Sequence, residues 1–167
     1  IQFAKANKTS LIPRTAGTSL AGQCVGEGLV VDVSKYFTKI IEVNEKDQTV
    51  TVQPGVVRDA LNNYLKPYNL FFGPNTSTSN RCMLGGMVGN NSSGTTSIQY
   101  GVTRDKVLEI QAVLSDGSQA VFGNLSNEEF DDKLNSVGLE GRIYNKVFNS
   151  LKSDQVKTRI KEQFPKP

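Results

Sequence analysis

The sequence predicts an α+β fold, in which short strands, mostly paired in hairpins, alternate with a few helices. Apolar runs of strand length flank turn residues, most clearly around Asp116-Gly117, and Asp-Gly between apolar runs is a strong hairpin signal. Elsewhere, apolar residues recur at helical spacing. Two segments rich in glycine and hydroxyl side chains interrupt these elements. We expect two small lobes, of about residues 1–54 and 55–167, with both segments facing a shared cleft.

The first third of the chain predicts one helix and four short strands. The helix covers Ile1–Ala6. The strands are expected at Ser10–Pro13, Gly28–Val33, Ile40–Val43 and Gln48–Val52. The second of these is an almost continuous apolar run, which is typical of a buried strand. The third and fourth flank a polar stretch and predict a β-hairpin, which Pro54 and Gly55 end.

An amphipathic helix is expected after this hairpin. Its apolar positions fall at i, i+3, i+4, i+7 and i+8, and they are Val57, Ala60, Leu61, Tyr64 and Leu65. Pro67 is expected to stop the helix, because proline cannot continue it. The next apolar residues, Leu70–Phe72, predict a short strand.

The last part of the chain predicts a second hairpin and three helices. The expected elements are a turn at Ser97–Gly101, strands at Val107–Leu114 and Gln119–Phe122, and helices after Ser126, at Ile143–Leu151 and at Val156–Phe164. Ser126 and Glu129 have the spacing of a capping box. The helix that they open places three apolar residues on one side, namely Phe130, Leu134 and Val137.

The longer glycine-rich segment, Pro74–Gly94, is called the central segment. Its four glycines make a helix through its length unfavourable, because each costs about 1 kcal/mol relative to alanine. The apolar residues among the glycines favour ordered structure over a flexible linker. We therefore predict an ordered loop whose backbone closely approaches a ligand. Backbone N–H groups in successive turns bind anions, so this composition suits a large, phosphate-bearing cofactor.

The shorter segment, Arg14–Gln23, has the same chemical character and is called the first loop. Gly17 and Gly22 have the spacing of the two glycines in a P-loop, but Gln23 stands where that motif requires lysine. A nucleoside triphosphatase is therefore disfavoured. The central segment lacks the G-x-G-x-x-G pattern, because its glycine pair has no intervening residue. A Rossmann dinucleotide site is disfavoured for this reason.

Charge and cysteine content exclude further classes of function. The formal net charge is +3, and the lysines and arginines are scattered, which favours a solvated surface over a nucleic-acid interface. No stretch has the length and apolar character of a transmembrane helix. Cys24 and Cys82 do not make a disulfide framework, so we expect free thiols in a reducing compartment.

The sequence contains no histidine. This absence excludes the Ser-His-Asp and Cys-His nucleophile arrangements and removes the commonest metal ligand. No catalytic residue and no metal ligand is therefore expected in this chain. Chemistry must come from a cofactor or from parts of the protein outside this sequence, whose two ends both look cut.

A series of short motifs resembles a known family. In chain order, the motifs are Arg14–Gln23, Val52–Val56, Phe72–Ser79, Gly85–Met87, Asn91–Gly94 and Tyr100–Gly101. Their order closely resembles the flavin-binding domain of the vanillyl-alcohol oxidase and p-cresol methylhydroxylase superfamily, nearest to D-lactate, glycolate and D-2-hydroxyglutarate dehydrogenases. The chain also resembles the long members, in which a flavin dehydrogenase precedes an iron–sulfur segment, at Leu65–Tyr68, Ser77–Arg81 and Phe164–Lys166.

The resemblance implies the p-cresol methylhydroxylase-type fold, with FAD in the cleft between the two lobes and with C-terminal helices. Backbone N–H groups of both glycine-rich segments would hold the FAD pyrophosphate and ribityl chain. The residues implied to bind the cofactor are Arg14, Thr15, Ala16, Gly17, Thr18, Ser19, Leu20, Gly22, Gln23, Pro74, Asn75, Thr76, Ser77, Thr78, Gly85, Gly86, Asn90, Asn91, Ser92, Gly94, Tyr100 and Gly101. Relatives usually have glycine where Thr15 and Ala16 stand.

The resemblance also implies how the cofactor is held and what lies elsewhere. Some relatives attach FAD covalently to histidine, which this sequence lacks, so we expect FAD to bind non-covalently. A substrate cap domain, and an iron–sulfur cluster if the fusion architecture applies, would lie beyond Pro167. The chain alone is expected to be inactive, and the expected location is cytoplasmic, with peripheral association with the inner membrane as an option.

The implied function is the oxidation of a D-2-hydroxy acid, such as lactate, glycolate or 2-hydroxyglutarate, by a flavin-dependent dehydrogenase. The product would be the 2-oxo acid, and no particular electron acceptor is indicated. Two alternatives from other classes stay open. One is a non-catalytic nucleotide- or phosphate-binding module, and the other is an incomplete fragment that binds no cofactor.

Overall fold

The computed structural model describes residues 1–164 and divides into two compact units, Ile1–Val107 and a second unit that begins at Leu108. The first unit combines helices with two two-stranded sheets, and the second combines helices with one, as the α+β prediction requires. The sequence predicts two lobes that meet near Pro54 on either side of a flavin cleft, and this boundary stays a prediction. Among residues 1–164, no helix is both long enough and apolar enough to cross a membrane.

Short strands and helices alternate along the first unit. Its strands are β1 (Leu11–Arg14), β2 (Leu29–Asp32), β3 (Ile40–Asn44) and β4 (Thr49–Val52). Its helices are α1 (Gln2–Ala6), α2 (Arg58–Leu65), α3 (Leu84–Asn90) and α4 (Ser97–Tyr100), with 3-10 turns at Lys66–Tyr68 and Thr103–Lys106. These bounds confirm the predicted N-terminal helix, the first hairpin and the amphipathic helix.

The core of the first unit lies between helix α2 and the β3–β4 hairpin. The buried residues are Val56, Leu61, Leu65 and Leu84, and apolar side chains of both hairpin strands pack against them. Full burial of one such side chain contributes about 1.5–3 kcal/mol, so this cluster anchors α2 to the sheet. Ala60 and Tyr64 are exposed, and the buried stripe of α2 is therefore narrower than the sequence pattern predicts.

Strands β1 and β2 form a parallel pair, with Leu11 opposite Leu29 and Arg14 opposite Asp32. The prediction that the 28–33 strand is buried is wrong for this structure, because all residues of β2 are exposed. Parallel sheets bury their strands only when other layers cover both faces. A two-stranded sheet supplies no such layer by itself.

The segment 70–72 was predicted to be a strand, and this prediction is wrong. The Asn62 side chain occupies both backbone hydrogen-bonding groups of Phe72. The Phe72 N–H donates to Oδ1 of Asn62 at 2.7 Å, and Nδ2 of Asn62 donates to the Phe72 carbonyl at 3.2 Å. A helix side chain thus replaces the neighbouring strand that β-pairing would need.

Helix α3 lies inside the central segment, where the sequence predicts a loop, so that prediction is wrong for Leu84–Asn90. Leu84 and Met87 are buried, and the N–H groups of Leu84 and Gly85 donate to the carbonyls of Val56 and Pro54, each at 2.9 Å. Packing and these hydrogen bonds outweigh the low helix propensity of glycine, since propensity is a weak preference that tertiary contacts override.

The second unit contains an antiparallel hairpin followed by helices. Its elements are β5 (Glu109–Val113), β6 (Gln119–Gly123), α5 (Asn127–Asn135), α6 (Leu139–Leu151) and α7 (Asp154–Gln163). The hairpin around Asp116-Gly117 and the three helices are confirmed. Rings from the hairpin and from helices α5 and α6 pack together, with Phe122 and Phe130 each about 6 Å from the ring of Tyr144.

The predicted capping box at the start of α5 is confirmed. The Glu129 N–H donates to the Ser126 hydroxyl at 3.2 Å, and the Ser126 N–H donates to Oε2 of Glu129 at 2.8 Å. The hydrogen bonds from Ser126 hold the pKa of the Glu129 carboxyl below its usual value. The predicted apolar side of α5 is wrong at Val137, because the helix ends at Asn135 and Val137 is fully exposed.

Candidate cofactor site

The first loop begins where strand β1 ends, and it leaves its backbone donors open. Gly17 and Gly22 have φ angles of +67° and +74°, a conformation that glycine adopts without steric cost. Among the described residues, no atom accepts a hydrogen bond from the backbone N–H groups of Thr15 through Leu20. Inside the loop, the Ser19 hydroxyl donates to Oε1 of Gln23. Successive free N–H groups of this kind form anion-binding concavities.

Arg14 covers one side of the first loop. A Cβ atom added to Gly17 would lie 2.9 Å from Nε of Arg14, so the guanidinium packs directly on this glycine. Arg14 also faces Asp32 across the parallel strands. Hydrogen bonds from Ser34, and to a smaller extent the charge of Arg14, hold the pKa of the Asp32 carboxyl below its usual value. Leu20, in contrast, is fully exposed and touches no part of this arrangement closely.

Helix α3 lies beside the first loop. A Cβ atom added to Gly86 would collide with Oγ1 of Thr15, whereas one added to Gly85 would collide with the ring and backbone of Pro54. A Cβ atom added to Gly89 would meet nothing within 4 Å. The two glycine-rich segments therefore meet at Thr15 and Gly86. They can approach this closely because Gly86 has no side chain.

The part of the central segment before α3 is held from several sides. Pro74 is fully buried, and its carbonyl accepts a hydrogen bond from Nε of Arg58 at 3.2 Å. Oδ1 of Asn75 accepts from the hydroxyl and the N–H of Thr96, at 2.8 and 3.3 Å. The hydroxyls of Thr76 and Thr78 lie 3.1 Å apart. Ser77 is exposed between them.

The backbone donors of this stretch are open as well. Within residues 1–164, nothing accepts a hydrogen bond from the N–H groups of Asn75 through Thr78. The chain then turns back, because the N–H groups of Arg81 and Cys82 both donate to the carbonyl of Thr78, at 2.8 and 2.7 Å. A second set of backbone N–H groups without acceptors therefore lies next to a turn that backbone hydrogen bonds hold in place.

The residues after α3 use their polar atoms within the protein. Asn91 ends the helix in a left-handed conformation, with φ of 46°, and its Oδ1 accepts from the N–H of Arg104 at 3.0 Å. The carbonyl of Ser92 accepts from the N–H and the hydroxyl of Thr103, at 3.1 and 2.6 Å. Nδ2 of Asn90 donates to the Ser92 hydroxyl at 3.2 Å. These contacts fix the end of the central segment.

Three predicted site residues lie at the far end of this part of the chain. A Cβ atom added to Gly94 would collide with the carbonyl oxygen of Asn75. The ring of Tyr100 meets that of Phe71 edge-on, with centroids 5.1 Å apart. Gly101 has φ of +76°, and the adjacent N–H of Val102 donates to Oδ2 of Asp105 at 2.8 Å. Their contacts connect the central segment to the following turn and do not reach the first loop.

Sequence reasoning missed the side chains that support the central segment. They are Arg58 and Asn62 on α2, Thr96, and Thr103, of which Thr103 is completely buried. The polar face of an amphipathic helix is expected to contact solvent, so the pattern of α2 gives no indication that Arg58 and Asn62 support the central segment. A signal that could have found Arg58 is the charged pair at the start of α2, which follows the Val52–Val56 motif after one residue.

The geometry fits a phosphate-bearing cofactor. Each glycine-rich segment carries a set of unpaired N–H donors and mostly neutral hydroxyl and amide groups, and the two segments meet closely at Thr15 and Gly86. No group of three or more Cys, Asp or Glu side chains among residues 1–164 is placed to hold a metal ion. Binding of an anionic, polar ligand through the backbone is therefore what this site can do.

Comparisons with known proteins point to the same cofactor. A family model described as "FAD binding domain" matches residues 1–123. D-2-hydroxyglutarate dehydrogenase of Escherichia coli strain K12 is 42% identical over 154 residues, covering 92% of this chain and 15% of that protein. Glycolate oxidase subunit GlcD of Bacillus subtilis strain 168 is 36% identical over 112 residues, covering 66% of this chain and 24% of that protein. The chain thus spans less than a quarter of either relative.

A solved structure shares the fold. The carbohydrate oxidase of Microdochium nivale, in complex with a substrate analogue, matches with a TM-score of 0.65 and 22% identity, over 77% of this chain and 28% of that one. This likeness concerns the fold and confirms the predicted fold class. Because the family model covers residues 1–123, including both glycine-rich segments, this chain belongs to the FAD-binding domain family, and FAD is the cofactor of that family.

Proposed function

We propose that this chain is the FAD-binding part of a dehydrogenase that oxidises a D-2-hydroxy acid to the 2-oxo acid. The proposal rests above all on one contact, between Thr15 of the first loop and Gly86 of α3, which brings the two glycine-rich segments together. The substrate class is supported by the relatives, whose names specify D-2-hydroxyglutarate and glycolate.

The proposed roles of the chain are to bind and orient the cofactor. The N–H groups of the first loop would hold the pyrophosphate, because those of Thr15 through Leu20 form a continuous run of open donors around Gly17, whose φ is positive. Those of Asn75 through Thr78 would hold the ribityl side of the molecule. Asn91 and Ser92 would act by fixing the turn after α3, since Oδ1 of Asn91 and the carbonyl of Ser92 already accept hydrogen bonds from Arg104 and Thr103.

When bound, FAD supplies the hydride-accepting chemistry that the side chains of this chain lack. The site residues are mostly neutral, and they include no group suited to take the hydroxyl proton of a substrate. We therefore assign that base, the substrate contacts and the electron acceptor to the intact protein outside this sequence. An iron–sulfur cluster there, and a cytoplasmic location with peripheral membrane association, belong to the same proposal.

The test is anaerobic reduction of the flavin in the intact protein. D-2-hydroxyglutarate, glycolate and D-lactate are added separately, and the visible absorption of the flavin is followed. Bleaching by at least one of them is expected, with the corresponding L-acids as controls. A protein that releases a nucleotide without visible absorption would indicate the non-catalytic module. An intact protein that takes up no flavin after reconstitution would contradict the whole proposal.

The proposed attachment is non-covalent, because the chain has no histidine to form a covalent link. Precipitation of the holoprotein with acid should leave the yellow colour in the supernatant. Colour that stays with the precipitated protein would contradict non-covalent binding and leave the assignment of FAD intact.

A further inference from the structure

The polar face of helix α2 contacts the backbone of the central segment and the residues just before it. We propose that Arg58, Asp59 and Asn62, which we call the α2 clamp, are positioning residues that set FAD affinity by holding residues 72–82 in their binding conformation. This inference rests on the proposed function, because it concerns the same site. It assigns a role to residues that are not themselves expected to touch the cofactor.

Arg58 is the central member of the clamp. Its guanidinium donates from Nε to the carbonyl of Pro74 and from Nη2 to the carbonyl of Phe72, both at 3.2 Å. Nη1 donates to Oδ1 of Asp59 at 3.0 Å, and only 15% of the Arg58 side chain is exposed. The planar guanidinium presents donors in a fixed geometry, so a single side chain fixes two carbonyls two residues apart.

The other two members hold the ends of the same stretch. The Asn62 side chain forms hydrogen bonds with both the N–H and the carbonyl of Phe72. Oδ2 of Asp59 accepts a hydrogen bond from the Ser79 hydroxyl at 3.1 Å. The backbone of α2 adds two contacts, from the N–H of Asp59 to the carbonyl of Ser79 at 3.2 Å and from that of Arg58 to Cys82 at 3.0 Å. The stretch is thus held before and after the four residues with open N–H groups.

This pattern separates two groups of backbone atoms. The clamp occupies carbonyls of Phe72, Pro74 and Ser79, whereas the N–H groups of residues 75–78 between them stay open. Fixing the backbone of a flexible chain costs conformational entropy, so a loop that is ordered beforehand binds its ligand more tightly. Without the clamp, FAD binding itself would have to order this stretch.

Helix α2 offers a matched pair of variants. Asn62 bonds to Phe72, whereas the neighbouring Asn63 is exposed, and its side chain makes no hydrogen bond within the described part of the chain. Asn62→Ala and Asn63→Ala therefore make the same chemical change on the same helix. Arg58→Lys adds a conservative variant, because lysine keeps the charge and loses the fixed two-carbonyl geometry.

The experiment titrates the apo form of each intact variant with FAD and records the visible circular dichroism of the bound flavin and the unfolding midpoint. Asn62→Ala and Arg58→Lys are expected to raise the Kd by about tenfold, since hydrogen bonds from charged or amide groups to the loop are lost. Their flavin spectra should change. Asn63→Ala should keep the Kd within about twofold, as for most surface substitutions.

Each outcome decides between the clamp and its alternatives. A parental Kd and spectrum in both Asn62→Ala and Arg58→Lys overturns the proposal, even where the unfolding midpoint falls, because the contacts would then serve stability alone. Gly86→Val tests the site itself in the same assay. If Gly86→Val weakens FAD binding and the clamp variants do not, only the clamp is wrong. If Gly86→Val keeps parental affinity, the proposed cofactor site is wrong.

Discussion

The two glycine-rich segments are alike in composition and differ in how the protein holds them. The first loop, Arg14–Gln23, is anchored by strand β1, and its one internal side-chain hydrogen bond joins Ser19 to Gln23. The central segment is bonded to helix α2, to Thr96 and to Thr103, and part of it is a helix. Similar composition therefore predicts proximity to a ligand, whereas the neighbours decide how firmly each segment is held.

Glycine also serves a different purpose in each segment. In the first loop, Gly17 and Gly22 supply positive φ angles, which alanine adopts only with strain. In α3, Gly85 and Gly86 have helical backbones. Because they lack side chains, Pro54 can lie against Gly85 and Thr15 against Gly86. Substitutions should therefore strain the backbone in the first loop and cause collisions in the central segment.

Gly86→Val should have the largest effect on the cofactor. The valine side chain would occupy the space beside Thr15 where the two segments meet, while the helical backbone of α3 tolerates valine. We expect FAD affinity to fall roughly tenfold to a hundredfold, as for an overpacked interior site, with the far-ultraviolet circular dichroism of the intact protein retained. A folded variant with parental FAD affinity would show that the segments do not form the site together.

Gly85→Ala should have the largest effect on stability. Its Cβ would collide with Pro54, where Cα lies 3.0 Å and the carbonyl oxygen 3.1 Å from the new atom, and a proline backbone moves little. We expect the free energy of unfolding to fall by about 1–3 kcal/mol, measured by urea denaturation. An unchanged unfolding midpoint would mean that α3 can shift away from the hairpin at little cost.

Gly22→Ala should have a smaller effect, because it acts through backbone strain alone. The nearest neighbour of the new Cβ, a methyl group of Val25, is 3.9 Å away, so no collision is expected. The positive φ should cost about 1–2 kcal/mol in unfolding free energy. Gly22→Asn is the control, since asparagine tolerates this region of φ better. Equal losses in the two variants would contradict strain as the cause.

Gly89→Ala should have the smallest effect and the opposite sign. The new methyl group meets nothing within 4 Å, and the residue lies in the last turn of α3. Alanine should therefore raise the unfolding free energy by roughly 0.5–1 kcal/mol, through lower entropy of the unfolded chain and higher helix propensity. A loss of FAD affinity in this variant would place the cofactor against this face of α3.

Several local elements and the family could be predicted from short stretches of sequence. The hairpins around residues 44–47 and Asp116-Gly117, and the capping box at Ser126, depend on turn chemistry and on contacts between near neighbours in the chain. The family could be recognised because its motifs occur in a fixed order along the chain. Both kinds of information are contained in short stretches of sequence.

The conformation of the central segment depends on contacts with distant parts of the chain. Residues 84–90 form a helix because Pro54 and Val56 accept hydrogen bonds from its first turn, and residues 70–72 are not a strand because Asn62 occupies the backbone of Phe72. Strand β2 is exposed because a two-stranded parallel sheet covers neither of its faces. In each case the deciding partner, or the lack of one, lies outside the local stretch of sequence, and no pattern within that stretch can reveal it.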